Sequence, residues 1–296
     1  MGTINTKFPD LFKFSKHIGF SPEKLIQAFD VETKYHKLIL NESDKNLRKQ
    51  LYNNLYTEVH RIYYGDGLLN SNETIPFSRK AILFKKELKN KSILEIGCGR
   101  GSFIISAFNS YNLKKITGLD VSLPSDILIN KYADIEFIKM DVIDFDLSYK
   151  YDIVYSNHVF EHMAPLDIDS HIVSLKNSLA PQGKLIINMP NKLFGPSDVT
   201  RIIDFSYTNK TTAIGSHFFE SSYEEVINKL KSHGFNVFYS PIPNIYMRHL
   251  LPWFRINSEY IALLERNSFF IKLLHSFKVF GRCRANYEIS IIASIK

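Results

Sequence analysis

Ile93-Leu94-Glu95-Ile96-Gly97-Cys98-Gly99-Arg100-Gly101-Ser102-Phe103 is an apolar run that opens into a loop with glycine at every second position. The residues after the loop are compatible with a helix. Glycines in such a loop permit tight turning and let backbone approach a ligand at the carboxyl end of a strand. Nineteen residues after Gly101 a second apolar run, Thr117-Gly118-Leu119-Asp120-Val121, ends in a carboxylate. Asp120 could there accept hydrogen bonds from both hydroxyls of a ribose. Two nucleotide readings compete. A dinucleotide fingerprint needs G-x-G-x-x-G, and Ser102 holds its sixth position. The loop is instead G-x-G-x-G preceded by Glu95. A nearby carboxylate disfavours pyrophosphate at a helix N-terminus but suits a sulfonium or an ammonium group.

Outward from this loop, short apolar runs recur at Ser92–Ile96, Lys115–Leu119, Glu136–Met140, Asp152–Tyr155 and Lys184–Met189. Segments able to form helices, such as Ser102–Ser110 and Ile168–Leu179, lie between most of them. Strands alternating with helices imply βαβ units and a parallel sheet buried on both faces. Ser221–Ser232 reads as a helix closed by Gly234, with strands at Phe235–Tyr239 and Tyr287–Ser294. The expected fold is therefore α/β, with a seven-stranded, mostly parallel sheet and helices on both faces. Residues 1–90 form an expected N-terminal helical extension or lid, residues 91–296 the main domain, and residues 245–280 a helical insertion. Within the extension, Ser21-Pro22-Glu23 is a helix start. Leu47, Leu51, Leu55, Val59 and Ile62 make one apolar helical stripe, a further helix spans about Phe77 to Leu88, and Gly65-Asp66-Gly67 breaks the chain between them.

Leu94-Glu95-Ile96-Gly97-Cys98-Gly99-Arg100-Gly101 resembles the first motif of class I S-adenosylmethionine-dependent methyltransferases, which have a Rossmann-like fold. Gly118-Leu119-Asp120-Val121-Ser122 resembles their second motif and Met140-Asp141-Val142 their third. Tyr151-Asp152-Ile153-Val154-Tyr155-Ser156-Asn157-His158-Val159-Phe160-Glu161-His162 resembles the fourth. Leu179-Ala180-Pro181-Gln182-Gly183-Lys184-Leu185 resembles the turn before the fifth strand. The similarity covers about Ser92 to Pro241 and the final strand. It implies an enzyme with S-adenosylmethionine as cofactor. Gly97, Cys98, Gly99 and Gly101 would face its methionine part and ribose, and Glu95 would hold the loop or reach the amino group through water. Asp120 would bind the ribose hydroxyls with Val121 against the adenine. Asp141 and Val142 would meet the adenine edge, and Asn157 the methionine end through its backbone.

Methyl transfer from a sulfonium is an in-line displacement, and an oxygen acceptor must also lose a proton to a base or a metal. His158, Glu161 and His162 would share one face if they lay on a helical turn. The string H-x-x-E-H is also a zinc-protease motif, but here it begins where a strand ends. A purely structural role for Glu161 and His162 is the bland alternative. Gly215-Ser216-His217-Phe218-Phe219-Glu220 resembles the segment after the fifth strand in ubiquinone-pathway O-methyltransferases. Some of those, like small-RNA 2′-O-methyltransferases, place a divalent metal between an E-x-x-E-H run and a later histidine. The expected acceptor site is thus His158, Glu161, His162 and His217, and the same four would hold any divalent metal. His158 in place of the first glutamate shifts the preference from magnesium toward zinc-like ions.

Composition bounds the acceptor. The 296 residues are 45% hydrophobic and carry a net charge of +7. Only Cys98 and Cys283 are present, which argues against a disulfide framework. Met1 to Phe14 lacks a signal-peptide core and no apolar run is long enough to span a membrane, so the expected location is cytoplasmic. From Ser240 to Lys296 eight Lys or Arg face three Glu, mixed with aromatics such as Trp253 and Phe269. That balance suits peripheral contact with the inner membrane face, a nucleic acid or an acidic substrate. The expected acceptor is a small molecule, a lipid-linked compound or a glycan, with Arg248, Arg255 and Arg266 available to a phosphate or carboxylate. Two alternatives are a nucleic-acid or protein methyltransferase and a non-catalytic S-adenosylmethionine-binding protein. An NAD enzyme is disfavoured by Ser102.

Overall fold

The structure, a computed structural model, describes residues 7–65, 75–244, 247–279, 282–283 and 286–295. Asp66 and Gly67 of the expected chain break and residues 245, 246 and 280 of the expected insertion lie outside them. Three N-terminal helices, α1 (Leu11–Ile18), α2 (Pro22–Asn41) and α3 (Lys45–Tyr64), precede two short ones, α4 (Arg79–Leu83) and α5 (Lys85–Leu88). The strands are β1 (Ser92–Ile96), β2 (Lys115–Asp120), β3 (Glu136–Lys139), β4 (Tyr151–Asn157), β5 (Leu179–Met189) and β6 (Val237–Ser240), followed by β7 (Ile256–Asn257). β8 (Lys278–Val279) and β9 (Arg282–Cys283) pair only with each other, and β10 (Ile289–Ser294) closes the order.

The main sheet runs β3-β2-β1-β4-β5-β10-β6-β7. Its first five strands are mutually parallel, and β10 is antiparallel to both neighbours. The sheet has eight strands, not the expected seven. The extra one, β7, is only two residues long and pairs with β6 at the edge. A run that short carries no alternation for a sequence pattern to reveal.

Alternate residues along the strands enter two different cores, because successive side chains point to opposite faces. Leu94, Ile96, Val154, Leu185 and Ile187 join the core containing Ile168, Ile172, Tyr223 and Leu230. Ile93, Ile153, Tyr155 and Ile186 join the other, with Leu83, Phe84, Phe103 and Ala107. Helices therefore cover both faces. Further helices lie at α6 (Ser102–Ser110), α7 (Asp126–Lys131), α8 (Pro165–Asn177) and α9 (Tyr223–Ser232). The insertion holds α10 (Met247–Leu250), α11 (Ser258–Glu265) and α12 (Ser268–Ser276).

The extension packs into the first core rather than standing apart. Leu25, Ala28, Ile39, Tyr52 and Leu55 are buried there beside Val159 and Phe160. The expected stripe faces the core, with Leu55 buried and Leu51, Val59 and Ile62 packed against it, except that Leu47 is 47% exposed and Arg48 and Tyr52 are buried instead. A buried ion pair fastens this end of the helix. Arg48 grips Asp167 of α8 with two contacts, Nε to Oδ2 at 3.0 Å and Nη2 to Oδ1 at 2.5 Å. The Tyr52 hydroxyl donates to the same carboxylate and accepts from the Ala164 amide.

Candidate functional site

The cleft begins at the glycine loop. Gly97 and Cys98 both donate their amides to the Leu119 carbonyl, which ties the loop to the neighbouring strand. Gly97, Gly99 and Gly101 all have positive φ, the left-handed region that glycine enters without strain. Gly97 is the most constrained of them. A Cβ there would lie 2.5 Å from Val159 Cγ2 at a φ of +66. Gly97→Ala is therefore expected to cost about 1–3 kcal/mol of stability, from overpacking plus backbone strain. It should weaken ligand binding at the same time, because Val159 lines the cleft. Thermal denaturation with a parallel ligand titration checks both, and a variant with unchanged stability would contradict the crowding argument.

Asp120 closes the loop from below. Its Oδ2 accepts from the Gly99 amide at 2.8 Å and its Oδ1 from Ser122 at 2.9 Å. Burial raises its carboxyl above the ordinary range, and those amides draw it back. Asp141 accepts from the Ile143 amide at 2.6 Å. A cavity of about 310 Å³ lies between these strand ends and α3, at the lower end of the range for small-molecule sites. Gly97, Asp120, Val121, Asp141 and Val142 line it.

The other sequence-predicted positions face elsewhere. Glu95 is fully buried and accepts from the Ile104 amide at the start of α6, so it secures the helix that follows the loop. The Cys98 sulfur packs against Gly118 of β2. Gly99 and Gly101 shape the turn, Gly101 being the residue before α6. The Asn157 side chain accepts from Lys80 Nζ at 2.6 Å.

α3 supplies the opposite wall with Lys49, Tyr52, Asn53 and Tyr56. None of these was among the candidates read from sequence. Their spacing of three and four marks one helical face, but that face is polar and aromatic, and only the fold gives it a cleft to meet. Lys49 Nζ sits 3.4 Å from Asp141 and also pairs with Asp144. Lys45 reaches Asp144 as well, at 2.5 Å. These contacts fasten α3 across the mouth beside Asp141.

His158, Glu161, His162 and His217 come together at the far end of the cavity, which His158 and His162 line. Phe160–His162 forms a single 3₁₀ turn rather than the helical turn expected from His158 onward. His158 stands before it with a φ of +56. Pro165 opens α8 three residues after His162, and a residue preceding proline resists helical backbone. His158 meets Glu161 through its side chain instead, Nδ1 to Oε1 at 2.8 Å. His162 Nδ1 contacts the Ser216 carbonyl at 3.1 Å, and His217 Nδ1 contacts Glu220 Oε1 at 2.8 Å. The two rings stand edge to face, 4.8 Å between centroids. Glu161, His162 and His217 each offer one ligand atom within 4.8 Å of the others. Glu161 Oε2 is buried without a hydrogen-bond partner.

The electrostatics separate these groups. Burial lowers the His162 imidazole to about 4, assisted by the nearby His217. Burial opposes charge on His217 too, but the hydrogen bond to Glu220 and the charge of Asp198 lift it to about 9. Burial would raise Glu161, yet His158 and the other two imidazoles hold it near 2. At neutral pH the site pairs a neutral His162 with a cationic His217.

A second charged group adjoins this one, and sequence reasoning also missed it. Glu288, just before β10, contacts Lys80 at 3.1 Å, Arg248 at 2.6 Å and His158 at 3.8 Å. The expected anion-binding arginines are all paired with carboxylates: Arg248 with Glu288, Arg255 with Glu87 and Arg266 with Glu224.

A family model described as a methyltransferase domain matches residues 73–239, more than half of the chain. Among curated proteins, the chain is 29% identical over 128 residues to trans-aconitate 2-methyltransferase of Escherichia coli O139:H28, covering 41% of this chain and 49% of that protein. It is 27% identical over 130 residues to malonyl-[acyl-carrier protein] O-methyltransferase of Calditerrivibrio nitroreducens, covering 39% and 51%. The chain thus spans about half the length of the curated relatives it matches. Among solved structures, an S-adenosylmethionine-dependent methyltransferase from Mesorhizobium loti aligns over 73% of this chain and 96% of its own, at 15% identity and a TM-score of 0.45.

Proposed function

The chain belongs to the methyltransferase-domain family, and from that premise we propose that it binds S-adenosylmethionine in the cavity under α3 and methylates a small organic acceptor. The observation that carries this reading is the cleft itself. A glycine loop, the Asp120 carboxylate and the Asp141–Val142 edge line one wall, and a cluster of histidines closes one end. S-adenosylmethionine supplies an electrophilic methyl group on a sulfonium. Asp120 binds the ribose hydroxyls once they displace its amide partners, and Val121, 40% exposed in the cavity wall, covers the adenine. Asp141 accepts from the adenine amino group, with Lys49 at its flank.

At the acceptor, His162 takes the proton through Nε2. The Ser216 carbonyl can only accept, so Nδ1 carries the ring proton and Nε2 keeps its lone pair. The His217 cation stabilises the charge that develops on the acceptor oxygen. The two curated relatives are named for trans-aconitate and malonyl-[acyl-carrier protein], which supports a small or carrier-bound organic acceptor. The base role of His162 requires its reacting oxygen to be a hydroxyl, since an ionised carboxylate has no proton to lose. The pairing of Arg248, Arg255 and Arg266 with carboxylates counts against a nucleic-acid grip.

A divalent cation is the second reading, favoured by the convergence of Glu161, His162 and His217 and by the unpartnered Glu161 Oε2. Those three residues would hold it, and when bound it would supply Lewis-acid activation of the acceptor oxygen. His217 must lose its proton to become a ligand, so binding tightens as pH rises toward about 9.

Calorimetric titration with S-adenosylmethionine tests the proposal. Asp120→Ala is expected to weaken binding by about 30- to 100-fold, the loss of two hydrogen bonds to one buried carboxylate. Well-folded wild-type chain that does not bind S-adenosylmethionine would refute the cofactor assignment.

A further inference from the structure

The helix α12, Ser268-Phe269-Phe270-Ile271-Lys272-Leu273-Leu274-His275-Ser276, has five large apolar residues in nine and buries none of them. A helix this short is not stable in water through its own hydrogen bonds, so its apolar surface must serve a purpose. It docks through Leu274, which packs against the first core, and through His275, Nε2 to the Leu193 carbonyl at 2.8 Å and the ring against Phe194. Phe269, Leu273 and Phe277, at steps of four, are 74%, 57% and 61% exposed. Trp253, earlier in the same insertion, is 64% exposed. Large apolar residues exposed in a row along one helix mark an interaction surface.

Charge identifies the occupant. Between residues 247 and 277 the only carboxylates are Glu259 and Glu265. Glu259 is taken by Lys231, and Glu265 turns inward to Asn191, the Tyr223 amide and Tyr287. Lys272 is exposed and, among the described residues, has no ionic partner. Among the described residues the segment therefore presents apolar groups and the Lys272 cation without a free anion. A second copy of the chain would bring like charges together on this face, whereas an anionic lipid surface complements both properties. No described helix is long and apolar enough to cross a membrane.

We propose that α12 forms an interfacial docking face for anionic lipid bilayers, with Phe269, Leu273 and Phe277 entering the headgroup boundary and Lys272 at the phosphate level. This inference does not depend on methyl transfer. Flotation of the full chain with vesicles of phosphatidylcholine, with and without phosphatidylglycerol, tests it. The chain should float with the anionic vesicles and about fivefold less with the neutral ones, the contribution of one surface lysine. The double replacement Phe269→Ser with Leu273→Ser should reduce anionic-vesicle binding at least about tenfold while S-adenosylmethionine binding and the unfolding midpoint hold. If the double variant unfolds, Lys272→Glu serves in its place, with a smaller loss expected. Absence of vesicle binding, or binding indifferent to these replacements, would overturn the proposal. So would sedimentation equilibrium showing a dimer that the double variant converts to monomer.

Discussion

Arg48→Ala is expected to destabilise the folded chain by about 3–5 kcal/mol, the cost of leaving one partner of a buried ion pair uncompensated. The Arg48 and Asp167 side chains are 4% and 0% exposed, and Asp167 also holds the Tyr52 hydroxyl at 3.0 Å. Two more Arg48 hydrogen bonds cap the carbonyls of Glu42 and Ser43 at the turn between α2 and α3. Removing the guanidinium strands an acceptor on α8 and frees the turn together. The unfolding midpoint should fall by roughly 10 °C in a single cooperative transition. Asp167→Ala should cost a similar amount, and the double variant less than the sum, since the pair is lost once. An early transition confined to the N-terminal helices, with the rest unfolding at the wild-type temperature, would instead mean that residues 1–90 are a separable domain. We propose that the extension is a fixed wall of the site. On that reading Arg48→Ala also weakens S-adenosylmethionine binding, because Tyr52 and Lys49 lose their placement.

His162→Asn should lower kcat by about 10²–10⁴-fold, the usual range for a lost general base, while S-adenosylmethionine affinity stays within about threefold. The geometry motivates the size. His162 is neutral at physiological pH, oriented by the Ser216 carbonyl, and adjacent to Glu161 Oε2, a buried carboxylate oxygen without a hydrogen-bond partner among the described residues. Wild-type kcat should rise with pH as His162 loses its proton near 4 and fall as His217 loses its own near 9. The asparagine variant should lose the acidic limb and keep the alkaline one. Unchanged turnover would remove the base role and leave Glu161 and His162 as a structural pair. Chelator treatment separates the two versions of the site: loss of activity restored by zinc or manganese supports the cation, and indifference supports the free imidazole. The His217 shift also bears on stability. A histidine raised by its partners contributes stability that is fully present below the unfolded value near 6.5 and lost as pH rises through about 9.

Much of the chain was legible before its structure was known. Apolar runs of four to six residues between polar turns located the parallel strands, because strands buried on both faces leave no other composition open. Ser21-Pro22 and Gly234 marked helix ends through local backbone chemistry alone. The loop from Gly97 to Gly101 announced its left-handed turns, since three residues of positive φ within five demand glycine. The string from His158 to His162 stood out because its candidate groups lie close together in sequence.

What the sequence could not decide depends on partners distant along the chain. Arg48 and Asp167 are 119 positions apart, and only the fold pairs them and gives Lys49, Tyr52 and Tyr56 a cleft to face. Glu288 precedes the last strand, yet the antiparallel return of β10 beside β5 brings it to Lys80, Arg248 and His158. The protonation states of His162 and His217 follow from burial and from Glu220 and Asp198, which differ between two rings of identical intrinsic chemistry. Local sequence thus determined the elements and the glycine loop at the cleft, because those depend on backbone geometry and short-range periodicity. The tertiary structure decided which polar groups are buried together, because desolvation and pairing are properties of neighbours in space.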